Sequence, residues 1–185
     1  MRYKLAIILF AGIAAFVAAS QLMGGGGPPS KIPSAPSTYM KIISPTFAHQ
    51  NPIPSQYTCD GGDINPTLQI TEVPSQAKSL ALIMDDPDAP GGTFTHWLMW
   101  NIDPATTLIE EGSRPEGVVE GVNSASETRY IGPCPPSGMH HYHFKLYALD
   151  SMLDVPSKTS KTHLEEEIKK HLIKSAELVG TYQRR

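Results

Sequence analysis

The chain of 185 residues carries 15 Lys and Arg against 18 Asp and Glu, a formal net charge of -3, which leaves no basic field for a nucleic-acid backbone and disfavours that class of partner. Apolar residues make up 40% and charged residues 18%, too apolar for a disordered chain, while 15 Gly and 17 Pro point to strands joined by turns. Two cysteines cannot build a four-thiolate zinc site or a small disulfide scaffold, so any metal would need His and carboxylates.

Arg2 and Lys4 precede an uncharged run from Leu5 to Met23, the pattern of an export signal. Leu5 to Ala19 has the length of a signal-peptide apolar region, and Val17-Ala18-Ala19 or Ala18-Ala19-Ser20 supplies small residues for cleavage. Extended to Met23, the run is just long enough to cross about 30 Å of hydrocarbon and would stay as an anchor. Residues 1–23 are therefore read as a signal peptide or an N-terminal membrane anchor, with a buried core helix as a third reading. Residues 24–38, rich in Gly, Pro and Ser, form a linker, and residues 39–185 form one domain, exported and either secreted or tethered to the membrane.

Within that domain, short strands are expected at Met40–Ile43 and Thr67–Ile70. Ser79 to Met84 is a continuous apolar run that stops at Asp85-Asp86-Pro87-Asp88, as expected of a buried strand delivering acids to its end. His96 to Ile102 and His143 to Leu149 are two further strands, and Asp103 to Ser126 reads as loop. Thr162-His163-Leu164-Glu165 has the form of a capping box, and Leu164, Ile168, Leu172, Ala176 and Val179 recur at helical spacing, which predicts a C-terminal helix ending near Gly180. The sum is a mainly β domain, sheet on sheet, with a C-terminal helix against it.

Polar groups concentrate in three segments: Asp85 to Pro90, Thr95 to Trp97, and Gly132 to His143. Strand alternation places His140, Tyr142, Phe144, Leu146 and Ala148 on one face, the apolar one, and sends His141 and His143 outward. His96 shares a face with Leu98, Trp100 and Ile102, so it also points inward. A cluster of Asp86, His96, His140 and Tyr142 admits several readings. As a metal site it offers two His and a carboxylate but no closely spaced inward ligand pair. As a hydrolase it would need Ser137 or Cys134 as nucleophile, and no Gly-x-Ser-x-Gly elbow is present. As a binding pocket it offers imidazole and phenol donors to an oxyanion, with Asp86 fixing a histidine tautomer. As plain structure, each histidine is a satisfied core residue and the prolines only stiffen a turn.

The order of motifs resembles the phosphatidylethanolamine-binding protein family, in its bacterial and archaeal Raf kinase inhibitor-like branch. The resemblance runs through Tyr57-Thr58-Cys59-Asp60-Gly61, Asn65-Pro66, Asp85-Asp86-Pro87-Asp88-Ala89-Pro90, His96-Trp97, Asn101-Ile102, Gly121-Val122-Asn123, Gly132-Pro133-Cys134-Pro135-Pro136-Ser137-Gly138 and the run from His140 to Asp150. It implies an antiparallel β-sandwich with peripheral helices, and a small pocket for phosphate, acetate or a phospholipid head group. Carried over by motif, Asp86 and His96 form one wall, Gly132 and Pro133 the loop side, and His140 with Tyr142 the donors, while Asp88 and Pro90 rigidify the rim. Two positions depart from the family: Phe94 stands where Trp is usual, losing an indole donor, and His141 stands where a basic residue is common.

The function this implies is a non-enzymatic binding protein, without cofactor, for a small anionic ligand or phospholipid head group at the cell envelope. The alternatives are an extracytoplasmic serine protease inhibitor acting through a surface loop within Asp103 to Ser126, and a small hydrolase using the His/Asp cluster. Were His96 or His140 needed as a cation, affinity for an anion would fall as pH rises past roughly 7. Cys59 and Cys134 both lie in matched motifs and either form a disulfide or remain two buried thiols.

Overall fold

In the computed structural model, which describes residues 39–184, the continuous apolar runs become the middle of a large sheet. The expected signal or anchor at 1–23 and the linker at 24–38 lie outside the described residues. Numbered in chain order, the strands are β1 (Lys41–Ile43), β2 (Asn51–Pro52), β3 (Leu68–Thr71), β4 (Ser79–Asp86), β5 (Phe94–Ile102), β6 (Leu108–Ile109), β7 (Val119–Glu120), β8 (His140–Leu149) and β9 (Leu172–Tyr182). One α-helix, α1 (Lys161–His171), and a 3-10 turn at Ser55–Tyr57 complete the described elements. Among the described residues no helix is long and apolar enough to cross a membrane.

The strands make a three-stranded sheet, β1-β3-β6, and a six-stranded sheet, β2-β9-β8-β4-β5-β7. The pairings are antiparallel except that of β2 with β9, which is parallel. Strand β4 is buried along its whole length because the large sheet is covered on both faces. On the front, Leu80, Leu82, Met84, Phe144 and Leu146 share one apolar cluster with Ile42, Leu68, Ile70 and Ile109 of the small sheet. On the back, Ala81, Ile83, Leu98 and Trp100 pack with Leu153, Val155 and the buried stripe of α1, Leu164 and Ile168. Side chains of successive strand residues alternate between these two clusters, so the strands read as unbroken apolar runs.

The expected C-terminal helix is corrected. Helix α1 starts one residue before the expected box, capped by Ser160, whose Oγ accepts the His163 N–H at 3.2 Å, and it stops at His171. From Leu172 to Tyr182 the chain is β9, paired residue by residue with β8. A spacing of four puts Leu172 and Ala176 on one face of a helix and also on one face of a strand. What decides is β8: without β9, its buried edge would present unpaired backbone groups. Gly180 is no helix stop but a place of close approach, where a Cβ would come within 2.5 Å of Ile53 Cγ1. Instead of several peripheral helices, the described residues hold one α-helix and the 3-10 turn. The segment Asp103 to Ser126 is not all loop, since β6 joins β3 and β7 joins β5.

Candidate functional site

Strand β4 ends where β5 and β8 begin, which brings three of the polar segments to one edge of the large sheet. Asp86 lies opposite Phe94 on β5, and Asp85 lies opposite His143 on β8. Alternation sends Asp85 to the back and Asp86 to the front. His140 Nδ1 donates to Asp86 Oδ2 at 2.7 Å, with both side chains buried. The other carboxylate oxygen, Oδ1, accepts the Asp88 N–H at 2.8 Å in the turn that follows. His96 Nδ1 donates to the Ile131 carbonyl at 2.7 Å. Burial holds His96 below the usual imidazole range, against the upward pull of the Ile131 carbonyl and of the Asp86, Asp85 and Asp63 carboxylates.

These groups open on a cavity of about 170 Å³, below the 300–1,000 Å³ or so of a drug-sized site. Asp86, His96 and His140 are its polar lining, set among Phe94, Ala89, Pro90, Ile131, Gly132, Cys134, Pro135 and Pro136. Its outer wall, the segment from Tyr130 to Cys134, is laced to the turn from Tyr57 to Asp63. Tyr130 Oη donates to the Tyr57 carbonyl at 2.8 Å, and the Cys59 N–H to the Pro133 carbonyl at 3.1 Å. The Gly132 N–H donates to Asp63 Oδ1 at 2.6 Å, and Arg129 Nη1 to Asp63 Oδ2 at 2.8 Å. A disulfide joins Cys59 to Cys134, with their Cα atoms 5.4 Å apart. Gly132 is required by this approach: a Cβ there would lie 2.5 Å from the Tyr57 carbonyl oxygen.

Of the residues singled out from sequence, Asp86, Phe94, His96, Gly132 and His140 line the cavity, and Pro90 stands at its rim. Asp88, Pro133 and Tyr142 stand outside the lining. Asp88 turns to His141, accepting its backbone N–H at 2.9 Å and its Nδ1–H at 2.7 Å, and that hydrogen bond holds the Asp88 carboxyl below its usual range. Pro133 faces the disulfide turn through its carbonyl. Tyr142 is fully buried, with its ring edge-on to His96 at 5.2 Å and nearly parallel to His140 at 6.5 Å. Its hydroxyl has no partner among the described residues, and burial, then the Asp86 and Asp88 charges, raise it well above the usual phenol range. Sequence reasoning missed Asp63 and the Ile131 carbonyl, which set the wall and the His96 tautomer. The Gly61-Gly62-Asp63 turn was the available signal for Asp63; a backbone carbonyl leaves none.

The site is thus a buried Asp–His pair opening on a small, otherwise apolar cavity at one end of a mainly β domain. The family model described as phosphatidylethanolamine-binding protein matches residues 43–183, and the chain belongs to that family. Its relatives are of bacterial and archaeal type. A UPF0098 protein of Pyrococcus horikoshii is 46% identical over 151 residues, covering 77% of this chain and 76% of its own. One from Pyrococcus abyssi is 39% identical and spans 100% of both chains, the first 38 residues included. Among solved structures, a phosphatidylethanolamine-binding protein homologue of Chlamydia trachomatis superposes with a TM-score of 0.78 at 40% identity, over 80% of this chain and 100% of its own. The Escherichia coli protein YbcL, described as a member of the mammalian family, gives 0.74 at 28% identity, over 79% and 99%.

Proposed function

We propose that this protein is a non-catalytic binding protein of the cell envelope, whose pocket holds a small ligand by a phosphate or carboxylate group, free or in a lipid head group. The observation that carries the reading is the buried Asp86–His140 pair, with His96 beside it, at the mouth of an apolar cavity too small for a nucleotide. In this reading the two sheets are the halves of a β-sandwich that holds the three strand ends rigid. Cys134 is tied up in the disulfide and Ser137 is exposed outside the cavity, which supports binding over nucleophilic catalysis. The disulfide also supports export to an oxidising compartment, as does an alignment that carries the N-terminal segment into a relative.

The test is calorimetric and thermal-shift titration of the full chain with inorganic phosphate, acetate and phosphoethanolamine, beside His140→Ala. A ligand at 100 times its Kd stabilises the wild type by about 2.7 kcal/mol, and the variant should lose that response. A wild type that answers none of the three ligands would sink the reading.

A further inference from the structure

We infer that the pocket selects a partly protonated oxyacid, such as hydrogen phosphate or a phosphomonoester that still carries a P–OH, over a fully ionised sulfate or a phosphodiester. This deepens the reading of the cavity as an anion pocket and rests on it.

Few hydrogen-bonding atoms of the cavity remain for a ligand. Among the described residues no Lys or Arg lines the cavity. The Gly132 N–H is already held by Asp63, and each oxygen of Asp86 already accepts one hydrogen bond, from the Asp88 N–H and from His140. A carbonyl oxygen only accepts, so the 2.7 Å contact to Ile131 requires the proton on His96 Nδ1. His96 Nε2, the ring's other nitrogen, is then a bare lone pair unless the ring takes a second proton. Burial opposes that second proton, and the carboxylates of Asp86, Asp85 and Asp63 do not reverse the balance. His140 is fixed in the same sense, since the Asp86 carboxylate accepts from its Nδ1. Its Nε2 becomes a donor only when the ring is imidazolium. The charged and titratable groups around His140 are Asp86 on β4, Asp88 in the turn after it, His96 on β5, His141 and Tyr142 on β8, and Tyr182 opposite on β9.

The cavity thus presents one fixed acceptor, one site that donates only after taking up a proton, and a carboxylate in its wall. A ligand oxygen placed against His96 must bring its own hydrogen. Inorganic phosphate keeps a hydrogen even as its dianion, and a phosphomonoester, with a second pKa near 6, keeps one on roughly a tenth of its molecules at pH 7 and on most of them below about pH 6, whereas sulfate and dialkyl phosphates carry none. A site built around a buried acceptor rejects the analogue lacking the donor, because the acceptor is left unpaired. Asp86 adds repulsion that is greatest for a full dianion. Acetate would enter as acetic acid. Of the two sources of phosphate chemistry, free monoester and lipid head group, the monoester is favoured because a diacylglycerol head group is a diester.

The experiment is calorimetry on the full chain at neutral pH with four probes: inorganic phosphate, sulfate of the same size and shape, phosphoethanolamine, and glycerophosphoethanolamine as its diester. Phosphate should bind at least tenfold more tightly than sulfate and the diester, and a repeat at about pH 5.5, where the monoester keeps its proton, should bring phosphoethanolamine to the same tenfold margin. His96→Gln, whose amide can turn its NH₂ to the ligand, should bring the phosphate-to-sulfate ratio to within about threefold, with the melting temperature reporting whether it folds. Should that variant fail to fold, 15N spectra of the wild-type complex give the same answer: a neutral His96 protonated on Nδ1 is expected, and a doubly protonated ring overturns the inference. Sulfate or the diester within threefold of phosphate overturns the selectivity while the anion pocket stands. Failure of all four probes overturns both.

Discussion

Asp85 and Asp86 are neighbours at the end of β4 and almost equally buried, at 1% and 3% exposure, yet the two faces of the sheet use them in opposite ways. On the back, Asp85 Oδ2 accepts from Lys161 Nζ at 2.7 Å and from Lys145 Nζ at 3.1 Å, so one carboxylate meets two cations. Burial pulls the Lys161 ammonium down, but the Asp85 hydrogen bond and charge, with Glu165, outweigh it and raise it. The result pins the first residue of α1 to the sheet. On the front, Asp86 meets an imidazole and a backbone N–H, and the imidazole keeps a second nitrogen that no group among the described residues takes. A buried carboxylate is therefore no sign of a site by itself. Lysine satisfies it and closes the matter, whereas histidine passes the hydrogen-bonding capacity on to the cavity.

The largest expected break in this comparison is covalent. The Cys59–Cys134 bridge spans a sequence separation of 75, and removing it by Cys59→Ser with Cys134→Ser should cost roughly 4 kcal/mol on the chain-entropy account. Denaturant midpoints under non-reducing conditions measure it, and hydrogen exchange should show the loosening at the front wall rather than in α1. A loss below about 1 kcal/mol would mean that the wall's hydrogen bonds suffice without the bridge. Next in size, Asp85→Ala leaves two ammonium groups facing each other. A cost of about 2–3 kcal/mol is expected, less than for a fully buried pair, since Lys145 and Lys161 keep 31% and 23% of their side-chain surface. Phosphate affinity should stay within about twofold. Asp86→Asn should do the reverse, costing about 1 kcal/mol in stability and at least tenfold in affinity. Loss of binding in Asp85→Ala would show that the two faces are not independent.

Much of this front-and-back arrangement is legible in the sequence. Period-two alternation along His140 to Ala148 matches the observed burial of His140, Tyr142, Phe144, Leu146 and Ala148, but the count that put His96 on one face with Leu98, Trp100 and Ile102 fails: Leu98 and Trp100 pack on the back, and a register shift opposite Met84 and Asp85 turns His96 to the front cavity. The abrupt stop of an apolar run at Asp85-Asp86 located the strand end that carries the cavity. Strand β9 was not legible, because a spacing of four serves both periods and only the edge of β8 decides between them. Nor was the place of Tyr142: alternation and motif set it inward as a donor, while its ring packs behind His96 and His140; Asp88, expected at the rim, pairs with His141. The hydrogen-bonding state of each histidine was not legible either. Tautomers depend on the partner of each Nδ1, and for His96 that partner is a loop carbonyl some 35 residues away in the chain.

The smallest expected effect is also the most specific to the front face. The fold lowers the pKa of His96 through burial, whereas the unfolded chain titrates near the ordinary value of about 6.5. Below that value the unfolded chain holds more protons at this position than the fold does. The His96 contribution is thus fully present above about pH 7 and is lost as pH falls through the unfolded pKa, so stability rises with pH across this window. His96→Gln should flatten part of the slope between about pH 5 and 7, read as the difference in urea midpoint between variant and wild type. The exposed pairs His141–Asp88, His143–Glu177 and His171–Asp150 are common to both proteins and cancel in that difference. Asp85→Ala supplies the control from the back face. In Asp85→Ala the carboxylate that raises Lys161 is gone, and so is one of the smaller upward pulls on His96, so that curve should be displaced downward and run parallel to the wild type or slightly steeper. If His96→Gln also runs parallel, the imidazole is not held neutral by the fold, and the lone pair assigned to the cavity is not there.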